Sequence, residues 1–293
     1  MIEIRPLKTL DEMHQAEEVQ RQAWGMDDLE IAGVHVLHAL QHNGAALLGA
    51  FDGERLVGFC LGVLSTGGPI VYERNTAVPL KMYSVMAGVL PDYQSQSVGY
   101  QLKLAQRKFA LNMGVHLITW TYDPLESRNA YFNIAKLGAV CRTYHPHFHG
   151  DLGGINAGLP TDRFEVEWYL ADARAERQLR GEVRPFTLQS LLQSGARLAN
   201  EAPLNDVGLP VPSSSMANLS GEWVLVEIPA EFQTLKQQDF ALAQQWRMHT
   251  RTLFTQLFAI GYTVTGFLST PHPRRSFYLL EIGDYLQSPI SNL

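Results

Sequence analysis

The stretch Val89–Gly114 reads VLPDYQSQSVGYQLKLAQRKFALNMG, and it joins three elements of different character. Just upstream and overlapping it, Met82–Leu90 (MYSVMAGVL) is mostly apolar, as expected of a strand covered on both faces, and Pro91 ends its ladder. From Val98 the apolar side chains recur at Leu102, Ala105, Phe109 and Met113, which is helical spacing, and Gly114 stands where a helix C′ residue belongs. Between strand and helix lies a small polar turn. Such a turn offers bare backbone N–H groups at a helix start, a ready site for phosphate.

These residues resemble motif A of the GCN5-related N-acetyltransferases, usually written (Q/R)xxGx(G/A), which here reads QxxSxG from Gln94 to Gly99. Ser97 stands where the family has glycine, and it is expected to serve as an N-cap. The resemblance implies that Gln94, Ser95, Gln96, Ser97, Val98, Gly99 and Tyr100 hold the diphosphate of coenzyme A through their amides. It implies also that the strand edge at Val89 pairs with the pantetheine arm, and that a backbone N–H near Gly88 or Val89 polarises the thioester carbonyl. Lys103 and Arg107, one turn apart, either meet the 3′-phosphate or form a solvated helix face.

A set of elements in the family's order can be read over residues 1–172. Ile2–Arg5 is a short strand, and Thr9 with Glu12 forms a capping box ahead of a helix reaching Trp24. Ala46–Phe51, a turn at Asp52-Gly53 and Leu56–Leu64 read as a hairpin. After the motif A unit come the strand Val115–Tyr122 (VHLITWTY), a helix Ser127–Leu137 closed by Gly138, and the strands Ala139–Tyr144 and Phe164–Leu170 (FEVEWYL). The helix resembles motif B, with Ala130 in register, Ser127 at the usual Asn place and Ile134 at the usual Tyr place. The implied fold is α/β (α+β), a mixed, mostly antiparallel sheet with a splayed central strand pair flanked by helices.

Beyond residue 172 the character changes. Residues 173–220 read as a helical and loop linker, with two short helices and a Pro, Ser, Asn and Gly loop from Ala202 to Gly221. Residues 221–293 read as a C-terminal β-α-β-β module: a strand Trp223–Ile228, a helix opened by Thr234 and Gln237 and ending at Gly261, then strands Tyr262–Leu268 and Ser276–Ile282. At roughly seventy residues the module is near the lower size limit for standing alone, so it is expected to pack on the first domain and shape the acceptor side. An oligomerisation role, as in a homodimer, is the competing reading.

Composition restricts the function classes. The 293 residues are 46% hydrophobic, and no apolar run is long enough to cross a bilayer. With a net charge of −6 the chain has no electrostatic footprint for nucleic acid. The start Ile2-Glu-Ile-Arg lacks a signal-peptide pattern, and two cysteines, Cys60 and Cys141, argue for a reducing compartment; cytoplasmic localisation is expected. Both thiols read as core residues rather than nucleophiles.

The resemblance implies direct acyl transfer from acetyl-CoA or another acyl-CoA, such as succinyl-CoA, to the primary amine of a small molecule, with no covalent enzyme intermediate and no metal. Asp123, at the end of VHLITWTY, is the candidate general base, although an Asp-Pro pair also makes a turn or cap. Glu73 and Tyr83 are the fallbacks, as is a base acting through water. Tyr131, one turn before Ile134, either protonates the departing thiolate or only packs, leaving the thiolate to depart unassisted. Asn129 and Asn133 either bond the pantetheine amides or face water. Arg74, Arg128 and Arg163 are candidates for an acceptor carboxylate, with surface salt bridges as the alternative. The run WTYDPL, NA, LGA and TDRF with a following Trp is similar to an amino-acid N-acyltransferase-like subgroup. HPHFHG (His145–Gly150) and the trio His35, His38 and His42 are read as something other than metal sites, since ligand-type neighbours are lacking and Pro146 breaks a regular strand. The rival function class is a non-catalytic acyl-CoA-binding regulator, which the departures at Ser97, Ser127 and Ile134 favour.

Overall fold

A computed structural model describes residues 1–66, 79–151, 158–184, 186–213 and 221–283. The chain folds as a mixed α/β protein whose strands are mostly antiparallel and flanked by helices. Its contacts divide it into two units, the first spanning Met1–Trp120 and the second the described residues from Thr121 onward. The division falls inside a strand rather than at residue 172.

In the first unit the strand order is β1 (Ile2–Pro6), β2 (Ala46–Asp52), β3 (Arg55–Thr66), β4 (Leu80–Val89) and β5 (Leu117–Tyr122, to Trp120 in this unit). The first three pairings are antiparallel; β4 and β5 run parallel, with Met82 opposite Ile118 and Tyr83 opposite Thr119. The β3–β4 register skips Val85, since Gly62 faces Ser84 while Leu61 faces Met86, and a bulge of this kind bends its strand. The hairpin loop is Gly53-Glu54, one residue later than expected, with Asp52 opposite Arg55 and Gly53 at φ 60°.

Helix α1 (Leu10–Trp24) begins with the expected capping box, Glu12 N–H donating to Thr9 Oγ1 at 3.2 Å and Thr9 N–H to Glu12 Oε2 at 3.2 Å. Its Met13, Ala16 and Val19, the short helix α2 (Val34–His42) through Val34 and Leu37, and the helix α3 (Val98–Asn112) through Val98 and Leu102 all join one core with Phe51, Phe59 and Leu61. The apolar sequence periods of the three helices are thereby spent on one buried layer.

In the second unit the strand order is β7 (Arg163–Tyr169), β6 (Val140–His145), β10 (Tyr262–Pro271), β11 (Arg274–Ile282), β9 (Trp223–Ile228) and β8 (Arg197–Leu198). Strand β10 pairs antiparallel with β6 at Val264 and Cys141, so the expected C-terminal module shares its sheet with β6 and β7. That pairing is why residues 121–151 group with the C-terminal part. Short helices α5 (Ala173–Leu179) and α6 (Leu188–Gln193) precede β8.

Two helices differ from the sequence reading. The segment after β5 is a single α-turn, α4 (Ser127–Ala130), followed by a π-helical stretch Tyr131–Lys136, in which Leu137 N–H donates to Phe132 O five residues back. Among the described residues the expected single C-terminal helix is divided into α7 (Phe232–Gln238) and α8 (Phe240–Ala259); Thr234 lies inside α7, and the cap of α8 is Asp239, whose Oδ1 accepts from Leu242 N–H at 2.9 Å. An aspartate between two apolar stretches competes better for the N-cap than a threonine already inside a helix.

Candidate functional site

The polar turn after β4 is held by its own side chains. A 3₁₀ turn at Pro91–Tyr93 follows the strand, Gln94 Nε2 donates to Val89 O at 3.2 Å, and Gln96 Nε2 donates to Asp92 O at 2.8 Å. Tyr93 Oη donates to Asp52 Oδ2 at 3.0 Å and so ties the turn to the β2–β3 hairpin. Ser95 and Ser97 both adopt left-handed backbone, φ 65° and 64°. Such a conformation disfavours residues bearing a Cβ, and it turns successive N–H groups toward one side, the geometry of an anion-binding concavity. Gln101 N–H makes the first bond of α3, to Ser97 O at 3.0 Å, and among the described residues the preceding amides of Val98 and Gly99 donate to no protein acceptor.

Ser97 occupies the N-cap position but makes no side-chain cap, because its left-handed backbone is not the extended one that brings an Oγ onto the N3 amide. This corrects the expected role of Ser97. Gly99 has an ordinary φ, and a Cβ there would touch only Val89 Cγ2 at 3.8 Å. The close approach lies instead at Gly88, where a Cβ would come within 2.8 Å of the Trp24 ring, and at Gly58, where it would come within 2.9 Å of Gly88 O.

Lys103 is neither a surface cation nor part of a solvated face. It is 3% exposed, and its Nζ donates to Ser84 Oγ at 2.9 Å and to Gln106 Oε1 at 3.0 Å while lying 3.7 Å from the centroid of the Trp120 ring. Burial lowers its pKa to about 7. The helical spacing that places Lys103 beside Leu102 and Gln106 turns it inward, and Arg107 is half-buried. Burial likewise pushes the Cys60 thiol up to about 12 and the Cys141 thiol well above its ordinary value, so neither is a ready nucleophile. Tyr83 is half-buried on β4.

Within the second unit the chain leaving β5 enters a cluster of charges. Asp123 Oδ1 accepts from Arg247 Nη1 at 2.8 Å and from Leu125 N–H at 2.9 Å, and its Oδ2 accepts from Arg247 Nη2 at 2.5 Å. Arg163 Nη1, itself donating to Asp162 O at 2.9 Å, is 3.8 Å from Asp123 Oδ2. Asp162 is fully buried and saturated: Tyr144 Oη, His147 N–H and the fork of Arg251 all donate to it. Those donors hold Asp162 below the usual carboxylate range despite its burial. Asp123 thus has the turn that the Asp-Pro pair suggested, together with an arginine from α8 that no local pattern announces.

Glu126, at the start of α4, is the group the sequence reading missed. Its Oε1 accepts from Gln233 Nε2 of α7 at 2.5 Å across 107 residues of sequence. Burial first, and then the charge of Asp123, raise its pKa, against the Gln233 hydrogen bond, Arg247 and Lys236, which lower it. The available signal was its place three residues after Asp123, where its N–H closes the turn onto Asp123 O at 3.0 Å.

The remaining candidates are dispersed. Tyr131 is 55% exposed whereas Ile134 is 1% exposed, so in the π-helical stretch the two side chains do not share a buried face. Asn133 is buried and Asn129 exposed. His145 pairs with Glu165 at 2.9 Å, and His35, His38 and His42 lie on the exposed side of α2. Glu73 and Arg74 fall outside the described residues.

No protein-family profile and no curated protein matches this sequence. Solved structures similar to it include the ribosomal-protein-S18-alanine N-acetyltransferase from Escherichia coli, 14% identical over 59% of this chain and 96% of that one, with a TM-score of 0.44. NAA60 of Arabidopsis thaliana, solved with acetyl-CoA, is 14% identical over 58% of this chain and 99% of its own, at a TM-score of 0.46. The PaiA N-acetyltransferase of Thermoplasma acidophilum, solved with coenzyme A, is 20% identical over 58% and 99%, at 0.39. Among the described residues no helix is long and apolar enough to cross a membrane.

Proposed function

We propose that this protein is an acyl-CoA-dependent N-acyltransferase of the GCN5-related kind, moving an acetyl or similar acyl group to a primary amine, with an amino acid as the candidate acceptor and the cytoplasm as its setting. The observation that carries the reading is the pair of left-handed serines, Ser95 and Ser97, which leaves the Val98 and Gly99 amides uncommitted at the head of a 15-residue helix directly after β4. A diphosphate fits this arrangement because it supplies the acceptors and the negative charge that a helix start lacks. Lys103, turned inward, is not assigned to the carrier, and the saturated Asp123 is not assigned as base.

Calorimetric titration with coenzyme A, 3′-dephospho-coenzyme A and pantetheine tests the reading, followed by thiol release from acetyl- and succinyl-CoA over a panel of amines and amino acids. Binding that is kept by dephospho-coenzyme A and lost with pantetheine is expected, since the diphosphate is the recognised group. Absence of binding by all three sinks the proposal.

One observation favours the non-catalytic alternative: Ile134 is buried where the family's Tyr would stand, while Tyr131 is exposed. Tight carrier binding with no amine-stimulated thiol release would select that reading.

A further inference from the structure

Strand β4 has a neighbour on both sides along only part of its length. It pairs with β3 from Leu80 to Val89, skipping Val85, but it faces β5 only at Met82 and Tyr83; from Ser84 to Val89 its second edge meets no strand among the described residues. Ser84 and Trp120 are the first residues past the end of that parallel pairing, and Lys103 of α3 bridges them. Its Nζ donates to Ser84 Oγ at 2.9 Å and lies 3.7 Å from the centroid of the Trp120 ring, while Gln106 Oε1 takes a further N–H at 3.0 Å and fixes the amine. Ser84 Oγ accepts this bond and donates to no protein acceptor among the described residues, so its own proton is uncommitted. All of these residues belong to the first unit.

Reach connects this group to the anion-binding turn. Gly99 lies level with Val89, since a Cβ on it would meet Val89 Cγ2 at 3.8 Å. Ser84 stands further back along β4, roughly 16 Å from Val89 at a strand rise of about 3.3 Å per residue. The pantetheine arm of coenzyme A has about thirteen bonds between diphosphate and sulfur, and at bond lengths of about 1.3–1.5 Å it spans roughly 16 Å when extended. Its two amides suit the unpaired edge of β4, to which an extended chain can add as a strand does. An arm that starts at the Val98 and Gly99 amides and follows this edge brings its sulfur to Ser84. The inward turn that takes Lys103 away from the phosphates places it at the other end of the arm.

Resting on the acyltransferase reading above, we propose that Ser84 is the proton donor to the departing sulfur and that Lys103 is its positioning residue, which returns a proton to the hydroxyl. Ser84 passes its hydroxyl proton to the sulfur as the C–S bond breaks with its electron pair left on sulfur. In the same exchange it takes a proton from the Lys103 ammonium. The bond that forms joins the unprotonated acceptor nitrogen to the thioester carbon; the surplus nitrogen proton goes to solvent, from which Lys103 is later reprotonated. Burial lowers Lys103 to about 7, below an ordinary thiol at about 8.5, so the proton moves downhill from amine to sulfur. The ionisable group acting on Lys103 is Cys60 of β3, itself pushed up to about 12. Arg107 lies one turn further along α3, Tyr83 precedes Ser84 on β4, and β5 presents Thr119 and Trp120, which do not titrate.

Titration of bound coenzyme A tests this without turnover, by thiolate absorbance measured against the carrier-free protein. In the intact protein the bound thiol should titrate at least about one pH unit below the free thiol, because a hydroxyl and an ammonium beside the sulfur favour the thiolate. Ser84→Ala and Lys103→Met should each restore the free value while keeping affinity for 3′-dephospho-coenzyme A, whose diphosphate is held elsewhere. Single-turnover rates with one amine give the second readout. Both variants should slow acyl transfer by about 10²-fold. The intact protein should lose rate on the alkaline side as Lys103 gives up its proton, and Lys103→Met should lack that limb; a purely structural role would lower the rate and leave the limb in place. A bound thiol that titrates as the free one in the intact protein, or variants that keep both the lowered titration and the rate, overturn the assignment while leaving the acyltransferase reading intact. Failure to bind coenzyme A, or binding without turnover of any amine, overturns both.

Discussion

Arg247 on α8 donates to both carboxylate oxygens of Asp123, at 2.8 and 2.5 Å, and Arg247 is only 2% exposed. Sequence reading leaves Asp123 between a general base and an Asp-Pro turn; the structure adds the turn bond to Leu125 N–H and the two-oxygen pairing with Arg247. Buried pairs of this kind do not always add stability over an apolar replacement, but breaking one leaves a charge with no compensation.

Asp123→Ala should therefore destabilise the protein by about 3–5 kcal/mol in urea unfolding, because Arg247 and Arg163 would face each other without the carboxylate between them. A loss below about 1 kcal/mol would show that solvent or a neighbour replaces the carboxylate at little cost.

Ser97 sits at φ 64° with no side-chain cap to offset that backbone. A left-handed residue with a Cβ costs about 1–2 kcal/mol, and glycine gives back roughly half of this as unfolded-chain entropy. Ser97→Gly should raise stability by about 0.5–1 kcal/mol and Ser97→Val should lower it. Equal stabilities for the three proteins in denaturant titrations would contradict the geometry of the turn.

Lys103 gives a pH signature. Its folded pKa of about 7 lies below the unfolded value near 10.4, so between these two pH values the unfolded chain binds a proton that the folded one does not. Stability contributed by this group is therefore full above pH ~10.4 and falls as pH drops toward ~7, below which the penalty is constant. Lys103→Met should flatten that slope when unfolding free energies are compared across the window. An unchanged slope would mean that the ammonium stays protonated against Ser84 and Trp120.

Gly58 meets the backbone rather than a movable side chain, since a Cβ there would lie 2.9 Å from Gly88 O. Gly58→Ala should cost about 1–3 kcal/mol through overpacking between β3 and β4. Thermal unfolding provides the check, and a shift of less than a degree would show that the strands can part without penalty.

Local chemistry determines much of this protein. The Thr9 and Glu12 capping box, the strand ending at Pro91, the helix over residues 98–112 and the left-handed Gly114 all follow from neighbours a few residues apart, whose effects act through one or two backbone bonds. Amphipathic spacing also announced α8 and β7, although the π-helical Tyr131–Lys136 shifted the faces on which Tyr131 and Ile134 had been aligned.

Charge placement was settled only by tertiary structure. Nothing near Asp123 in sequence foretells Arg247, 124 residues away, and nothing near Glu126 foretells Gln233. The same holds for Lys103, where helical period gives the face but not the Ser84 and Trp120 that receive it. The cost of removing a charge from water depends on every element that surrounds it, so ionisation is a property of the packed chain, whereas caps and turns belong to the local one.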